Sequence, residues 1–506
     1  MSLAPLWSGG RSRPAPRVVV IGAGFGGVAA AVRLKQAGVE DLTILESAAA
    51  VGGVWLANRY PDCACDIPAP LYSFSFAQNP DWSRRFPPAS EIQAYIEDVV
   101  DRFDVRRHLR LRTEAVRATW DDSAQAWTVE TAAGDRFECD MLVTAVGQLT
   151  KPAIPRIPGL DSFAGPVVHS AQWTPDLVTA GRRVAVVGTG ASAIQLVPAI
   201  AGQAARVTVL QRSAPWTLPK PDRRYGPVNR LLKRRVPAVM RLGRGATWGV
   251  TQLMGLAVTG NPVLNALFEL VSNTQRRVRL VDPQLRRKAT PDYRMGCKRV
   301  LFTSRWFPAL ARPDVELVTE AIDRVEAGGV RSADGRLHEA DVLVLGTGFS
   351  AAELVAPLEV VGRDGTTLAQ AWQGGAHAFL GITVPRFPNL FLVYGPNTNT
   401  GNTSVVYFHE AQAGYVAQAA RLLAAQGGGA LEVRADVEAA FDAEMQRRLD
   451  RSVWATCSNW YRDAGGRIVT NWPGLASEYG RRTARFDPAD YLVTARTAPV
   501  GTQVAA

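Results

Sequence analysis

The chain has 506 residues, of which 47% are hydrophobic and 20% charged, a composition typical of a globular protein with more than one domain. The net charge is +11, but there is no basic arm, zinc spacing or aromatic RNA-binding motif, so we expect no nucleic-acid partner and no metal. The five cysteines are odd in number and scattered, which predicts reduced thiols without a disulfide framework and a cytoplasmic protein.

After a short tail at residues 1–16, predicted to be disordered, the chain begins a dinucleotide-binding pattern. A buried strand at 17–21 runs into a glycine loop with Gly22, Gly24 and Gly27, followed by a helix at 28–36 and a strand at 41–45 that ends in Glu46. The glycines let a pyrophosphate approach the backbone and the helix N-terminus, and Glu46 would accept a hydrogen bond from a ribose hydroxyl. Because a carboxylate there repels a 2′-phosphate, this site should bind FAD or NAD rather than NADP.

The same pattern returns at 183–211, with Gly188, Gly190, Ser192 and Ala193 in the loop, and Ser213 just beyond the second strand. Here Arg212 stands at the position that Glu46 occupies in the first unit, 24 residues after the first glycine. A guanidinium suits the 2′-phosphate of NADPH. The sequence therefore predicts two different dinucleotide sites.

Two further apolar strands, 140–147 and 341–345, each end in a glycine turn, and a third strand at 389–394 ends in a polar turn. We assign all three to the first unit. The prediction is an α/β protein with two Rossmann-like domains, in which an NADPH domain (151–214 and 291–324) is inserted in a discontinuous FAD domain (17–150 and 325–506).

Between 215 and 290 the βαβ pattern gives way to helices, and 245–268 carries no charge. Glycine, asparagine and proline interrupt this stretch, which disfavours a membrane-spanning helix. We expect a helical cap over the substrate cleft; the alternative is a basic face resting on a membrane surface.

Three longer motifs are more specific: Gly52-Gly53-Val54-Trp55 with Tyr60-Pro61 and Asp66; Phe163, Gly165, His169 and Trp173 between the two glycine loops; and Lys298-Arg299. With them the chain resembles the class B flavoprotein monooxygenases, most closely the Baeyer–Villiger monooxygenases, over about residues 17–490. Thr174 and Asp62 depart from the usual pattern of that family.

The resemblance implies that Gly53, Val54, Trp55, Asp66 and Gln148 contact the cofactor. It also implies the reaction: NADPH reduces FAD, O2 forms a C4a-peroxyflavin, and this species attacks a ketone to give an ester or lactone. Arg299 would be the fixed cation beside the anionic oxygen, Asp66 would hold it, and Lys298 would help Arg212 to bind the 2′-phosphate.

Several alternatives stay open at this stage. Arg299 and Asp66 could form a purely structural ion pair, and His169 could either transmit cofactor occupancy between the domains or simply be buried. The chain could oxidise sulfur or nitrogen instead of a ketone, although that chemistry does not need Arg299. A flavin disulfide reductase would need a redox CxxC, which Cys63-Ala-Cys65 does not match, and the intact cations argue against a non-catalytic adaptor.

Overall fold

The computed structural model describes residues 15–401 and 403–496, so the predicted tail lies, except for its last two residues, outside the described residues. The strands are β1 (Val18–Ile21), β2 (Leu42–Leu45), β3 (Leu109–Arg110), β4 (Ala115–Asp121), β5 (Ala126–Thr131), β6 (Arg136–Cys139), β7 (Met141–Thr144), β8 (Val167–His169), β9 (Arg183–Val187), β10 (Arg206–Leu210), β11 (Thr217–Leu218), β12 (Leu301–Phe302), β13 (Val315–Val318), β14 (Ile322–Glu326), β15 (Gly329–Ser332), β16 (Leu337–Glu339), β17 (Val342–Leu345), β18 (Glu359–Val361), β19 (Leu390–Leu392), β20 (Gly429–Val433) and β21 (Tyr491–Ala495).

The helices are α1 (Phe25–Gln36), α2 (Val54–Ala57), α3 (Ala89–Arg102), α4 (Ala193–Ile200), α5 (Pro227–Arg235), α6 (Pro237–Thr259), α7 (Pro262–Arg279), α8 (Pro283–Lys288), α9 (Trp306–Leu310), α10 (Leu368–Ala371), α11 (Val405–Gln426), α12 (Ala435–Asp450) and α13 (Ala476–Arg482).

The first nucleotide unit is built on a parallel sheet with the order β19-β7-β1-β2-β3. Its central strands β1 and β7 are buried along their length and apolar except for Thr144 at the end of β7, as expected for parallel strands covered on both faces. Helix α1 packs against this sheet and buries most of its length. The carboxyl ends of the strands, where the glycine loop and Glu46 stand, form the edge at which such sheets bind nucleotides.

The second unit repeats this layout in a parallel sheet with the order β13-β10-β9-β17-β8. The assignment of the strand near 342–345 to the first unit is therefore wrong, because β17 pairs with β9 of the second. It occupies beside β9 the position that β7 occupies beside β1. After β13 the chain forms a separate three-stranded antiparallel sheet of β14, β15 and β16, and it then returns to the second sheet with β17 instead of passing to the first unit at residue 325.

Helices fill the region between the two halves of the second unit, as predicted for residues 215–290: α5, α6, α7 and α8 follow one another there. Among the described residues, no single helix has the length and apolar character needed to cross a membrane. The pair α6 and α7 meets the length and composition criteria jointly, with a bend of 106° between the two helices.

The cysteine prediction needs one correction. Cys297 and Cys457, 160 residues apart, form a disulfide, whereas Cys63, Cys65 and Cys139 are free and buried. Spacing along the chain could not indicate this pair, because tertiary folding alone brings the two residues together. The disulfide joins the segment that carries Lys298 and Arg299 to the loop that follows α12.

Candidate active site

The first glycine loop is closed by contacts that only glycine permits. Gly22 has φ +102°, and a Cβ there would lie 2.5 Å from the Ala145 carbonyl oxygen at the end of β7. A Cβ on Gly27 would lie 1.8 Å from the Gly22 oxygen. The start of α1 can therefore approach the strand ends closely, which leaves backbone N–H groups at the loop for a pyrophosphate.

Glu46 stands at the end of β2 beside this loop and is largely buried. Its Oε2 accepts a hydrogen bond from the Ala23 amide at 2.7 Å, and its Oε1 accepts one from the Ala48 amide at 2.8 Å. These bonds fix the carboxylate against the loop. Since each oxygen has two lone pairs, Glu46 can still accept from ribose hydroxyls.

The Gly52-Gly53 turn packs on the same loop. The Gly52 amide donates to the Ala23 carbonyl at 3.1 Å, and a Cβ on Gly24 would lie 3.6 Å from the Gly53 Cα. Val54 then begins α2, and Trp55 donates from its indole nitrogen to the Tyr72 hydroxyl at 3.1 Å. This motif is thus brought to the predicted FAD loop.

Gln148 follows the glycine turn after β7 and is buried. Its Nε2 donates to the carbonyls of Tyr394 and Gly395 at 3.0 and 3.3 Å, while its Oε1 has no protein partner. A buried acceptor without a donor is costly, so an orphaned oxygen at this edge of the sheet fits a bound group that donates to it.

The second loop repeats the first. Gly188 has φ +103°, and a Cβ there would lie 2.5 Å from the Gly346 carbonyl oxygen, after β17. Ala193, which stands in place of the third glycine, begins α4 and is fully buried. A Cβ on Gly190 would lie 3.9 Å from the Gly346 carbonyl oxygen, an ordinary contact distance. Ser192, the N-cap of α4, is close enough to the Tyr60 hydroxyl of the first unit to lower its pKa, against the larger effect of burial, which raises it.

Beyond β10, the second loop is flanked by two cations. Lys298 Nζ donates to Ser213 Oγ at 2.8 Å, and the charge of Arg212 is close enough to act on Lys298. Burial lowers the pKa of Lys298, and Arg212 lowers it further. Neither cation forms an ion pair within residues 15–401 and 403–496. The charge of Asp292 acts on Lys298 in the opposite direction to that of Arg212, without forming an ion pair with it. Two neighbouring like charges without an ion-pair partner are the donor set that a 2′-phosphate neutralises.

The neighbouring residue, Arg299, points to the other unit. Its Nη2 lies 2.8 Å from Asp66 Oδ2 and 3.0 Å from Oδ1, and its Nε lies 3.2 Å from Oδ2, across a sequence separation of 233. Burial favours a raised pKa for Asp66, but the Arg299 charge and hydrogen bonds outweigh it and lower that pKa. The carboxylate raises the pKa of Arg299, so both groups stay charged at neutral pH.

Other residues lie around this pair; of these, the sequence had indicated only Tyr461, with Trp460, as a residue that either lines the cleft or serves packing. Lys220, just after β11, is a further cation whose charge lowers the pKa of Asp66. Burial raises the pKa of Tyr461 to about 12, and the Arg299 charge opposes this shift. The hydroxyl of the partly buried Tyr394 donates to Asn399 Oδ1 at 2.7 Å. The polar turn after β19 was a signal for Tyr394 and Asn399, but nothing local marked Lys220.

The linker motif joins the second sheet directly. His169 ends β8, which pairs with β17; its Nδ1 accepts from the Ala171 amide at 3.2 Å, so Nε2 carries the proton and donates to the Gly348 carbonyl at 3.0 Å. Burial lowers the pKa of His169, which keeps it neutral. Trp173 is buried in a cluster that also holds Tyr60 and Cys63. His169 is thus a satisfied buried histidine that also touches the glycine turn after β17.

Asp62 and Thr174 are the two residues that depart from the family pattern. Asp62 has φ +63° and forms an ion pair with Arg305, whereas Thr174 is an exposed residue in a loop.

Burial raises the pKa of Cys63 to about 11 and that of Cys65 above its ordinary value. Because thiolates are the reactive form, these cysteines are poor redox groups, which argues against the reductase alternative.

Both cofactors therefore fit the residues present. The first loop offers glycines, Glu46 and the orphaned Gln148 oxygen, as an FAD site requires, and the second offers glycines and two unpaired cations, as an NADPH site requires. The fold and site define a flavoprotein with two dinucleotide-binding units and a partly buried Arg–Asp pair between them.

Comparison with known proteins agrees with this definition. Residues 19–243 match the family model described as pyridine nucleotide-disulphide oxidoreductase. A Baeyer–Villiger monooxygenase of Streptomyces coelicolor is 45% identical, over 96% of this chain and 93% of its own, and one of Pseudomonas aeruginosa is 41% identical, over 94% and 91%.

Among solved structures, an oxidised steroid monooxygenase bound to NADP superposes with a TM-score of 0.85 at 30% identity, covering 95% of this chain and all of that one. A cyclohexanone monooxygenase from Rhodococcus sp. Phi1 bound to NADP⁺ gives 0.86 at 27% identity, covering 96% of this chain and all of that one. The chain belongs to the Baeyer–Villiger monooxygenase family. It is an FAD- and NADPH-dependent flavoprotein monooxygenase, and the predictions of family, fold class and cofactors are confirmed.

Proposed function

We propose that this enzyme inserts one oxygen atom beside the carbonyl of a small-molecule ketone, with Arg299 as the catalytic cation and Asp66 as the residue that positions it. The balanced reaction converts ketone, O2, NADPH and H⁺ to an ester or lactone, NADP⁺ and water. One oxygen atom enters the C–C bond next to the carbonyl, and the other leaves as water with the two electrons of NADPH. Bound FAD supplies the redox chemistry that carries these electrons to O2.

The observation that carries the proposal is that adjacent side chains serve different units. Lys298 donates to Ser213 and lies near Arg212 of the second unit, while Arg299 makes a bidentate ion pair with Asp66 of the first. A short segment thus holds one cation for the 2′-phosphate and one for the reacting oxygen. Asp66 accepts all three short contacts from Arg299, which restricts the guanidinium to one orientation.

Arg299 suits this role because it keeps its proton and has a fixed position. A fixed cation in a partly buried site stabilises negative charge that develops on oxygen without having to reorganise during the reaction. Sulfur or nitrogen oxidation has no such demand for a cation, so the pair favours the ketone reaction. In our assignment Glu46, Gln148 and the Gly22 loop hold FAD, and Arg212, Ser213 and Lys298 hold NADPH.

The test is Arg299→Ala. Arg305→Ala is the matched control, because this substitution removes the same charge from an exposed ion pair with Asp62. We expect Arg299→Ala to bind FAD and to be reduced by NADPH as the wild type is, while ester formation from a ketone falls by about 100- to 1000-fold. The control should keep all three activities.

Product is measured by gas chromatography with a ketone and, separately, a sulfide as substrate. Ester formation by Arg299→Ala at the wild-type rate would refute its role. Sulfoxide formation without ester formation by the wild type would instead identify the heteroatom oxidation alternative.

A further inference from the structure

Helix α7 exposes apolar residues and buries polar ones. Leu267 and Leu270 are 52% and 58% exposed, whereas Asn265, Ser272 and Arg276 are buried. In a helix that packs on a water-soluble protein, the apolar stripe normally faces the core. Here this order is reversed.

Helix α6 shows the same reversal. Leu242, Val250 and Leu253 are 73%, 56% and 47% exposed, while Thr247 and Thr251 of the same helix are buried. Their helical spacing places the exposed residues on one side. The preceding helix α5 buries none of its residues and exposes Leu231 and Leu232. We call the outward side of α5, α6 and α7 the cap face.

Hydrogen bonds to the body of the protein hold this orientation. Asn265 Nδ2 donates to the Met295 carbonyl at 2.9 Å, and the Met295 amide donates to Glu269 Oε1 at 3.1 Å. On α6, Thr251 pairs with Thr403 at 3.1 Å between hydroxyl oxygens. Rotating either helix to hide its leucines would break these bonds, so the cap face presents its apolar residues to the outside. An exposed apolar patch of this kind marks an interaction surface.

The positive charge of residues 226–281 indicates which kind of partner the cap face binds. Residues 226–281 contain nine arginine and lysine residues and one carboxylate, Glu269, which is already bound to Met295. Of the nine cations, Arg234 and Arg244 pair with Asp81 and Glu410 and Arg276 is buried, which leaves six cations against no free carboxylate in this segment. A second copy of the chain would bring two strongly positive faces together, and nucleic acid offers no apolar surface for the leucines. A membrane with anionic lipids offers both acyl chains and negative charge.

We propose that the cap face docks on the surface of an anionic lipid bilayer. The leucines of α6 and α7 enter the boundary between headgroups and acyl chains, and surrounding arginines such as Arg241 and Arg277 contact lipid phosphates. Neither Arg241 nor Arg277 forms an ion pair within the described part of the chain, so both are available to phosphate. The protein then lies on the membrane without crossing it.

The experiment is flotation of the FAD-loaded enzyme with vesicles of phosphatidylcholine alone or with added phosphatidylglycerol. We expect binding to the anionic vesicles and little to the neutral ones. The variant Leu267→Glu/Leu270→Glu should bind about tenfold more weakly or worse, because it loses apolar insertion and adds negative charge. Arg241→Gln/Arg277→Gln should lose about fivefold for each cation removed.

Val178→Glu is the control, since Val178 is 62% exposed in the loop before β9, outside the cap helices, and should leave binding unchanged. FAD content of each variant establishes that it folds. Absence of wild-type flotation, or equal flotation of wild type and Leu267→Glu/Leu270→Glu, would overturn the proposal. A wild-type dimer in sedimentation velocity that this variant dissociates, without vesicle binding, would show that a second copy covers the face instead.

Discussion

Replacing Lys298 by Met should change which coenzyme the enzyme prefers. Methionine keeps much of the length of the side chain but removes the charge that lies 2.8 Å from Ser213 and beside Arg212. NADH lacks the 2′-phosphate, so the lost interaction concerns NADPH alone.

A hydrogen bond to a charged group contributes about 1.5–3 kcal/mol, which corresponds to about 10- to 100-fold in affinity. We therefore expect kcat/KM for NADPH to fall by about 10- to 100-fold, mainly through KM, because a contact to the 2′-phosphate is the same before and during hydride transfer. The value for NADH should stay near that of the wild type.

The assay follows flavin reduction by each coenzyme in a stopped-flow without oxygen, which isolates this step from oxygenation. Lys151→Met is the control, because it removes the same charge from an exposed pair with Glu353. Equal losses with NADPH and NADH would mean that Lys298 supports the fold or the flavin rather than the 2′-phosphate, and our assignment would be refuted.

Two further predictions concern stability. Opening the Cys297–Cys457 link by Cys457→Ser should cost about 2–4 kcal/mol, because the bond closes a long loop; dithiothreitol should lower the wild-type melting temperature toward that of the variant, and a wild type unaffected by reductant would contradict this. The Glu438 carboxylate, 2.7 Å from His377 Nδ1, raises the pKa of His377, so this pair stabilises the fold fully below the ordinary histidine pKa of about 6.5 and loses its effect as pH rises through the raised value. The melting-temperature difference between wild type and His377→Gln should therefore shrink from acidic to alkaline pH, and a difference independent of pH would speak against it.

Much of the architecture could be predicted because its signals are local. An apolar strand, a glycine loop and a helix are consecutive in the chain. The residue at the end of the second strand distinguishes a ribose hydroxyl from a 2′-phosphate. Glu46 in one unit and Arg212 in the other could therefore be assigned to different coenzymes from spacing alone. The pairing of Arg299 with Asp66 came instead from resemblance to a family, since no local pattern joins residues 233 positions apart.

The rest depends on contacts that the chain makes only when folded. Strand β17 has the same apolar run and glycine turn as β7, so the sequence does not indicate which of the two sheets it joins. In the folded chain β17 pairs with β9 and therefore belongs to the second sheet. The Cys297–Cys457 bond likewise arises because folding brings distant segments together. In α6 and α7 the sequence shows an amphipathic helix but not which side faces inward. Asn265 donates a tertiary hydrogen bond to the Met295 carbonyl and Thr251 accepts one from Thr403, so the polar side faces inward and the leucines lie outside.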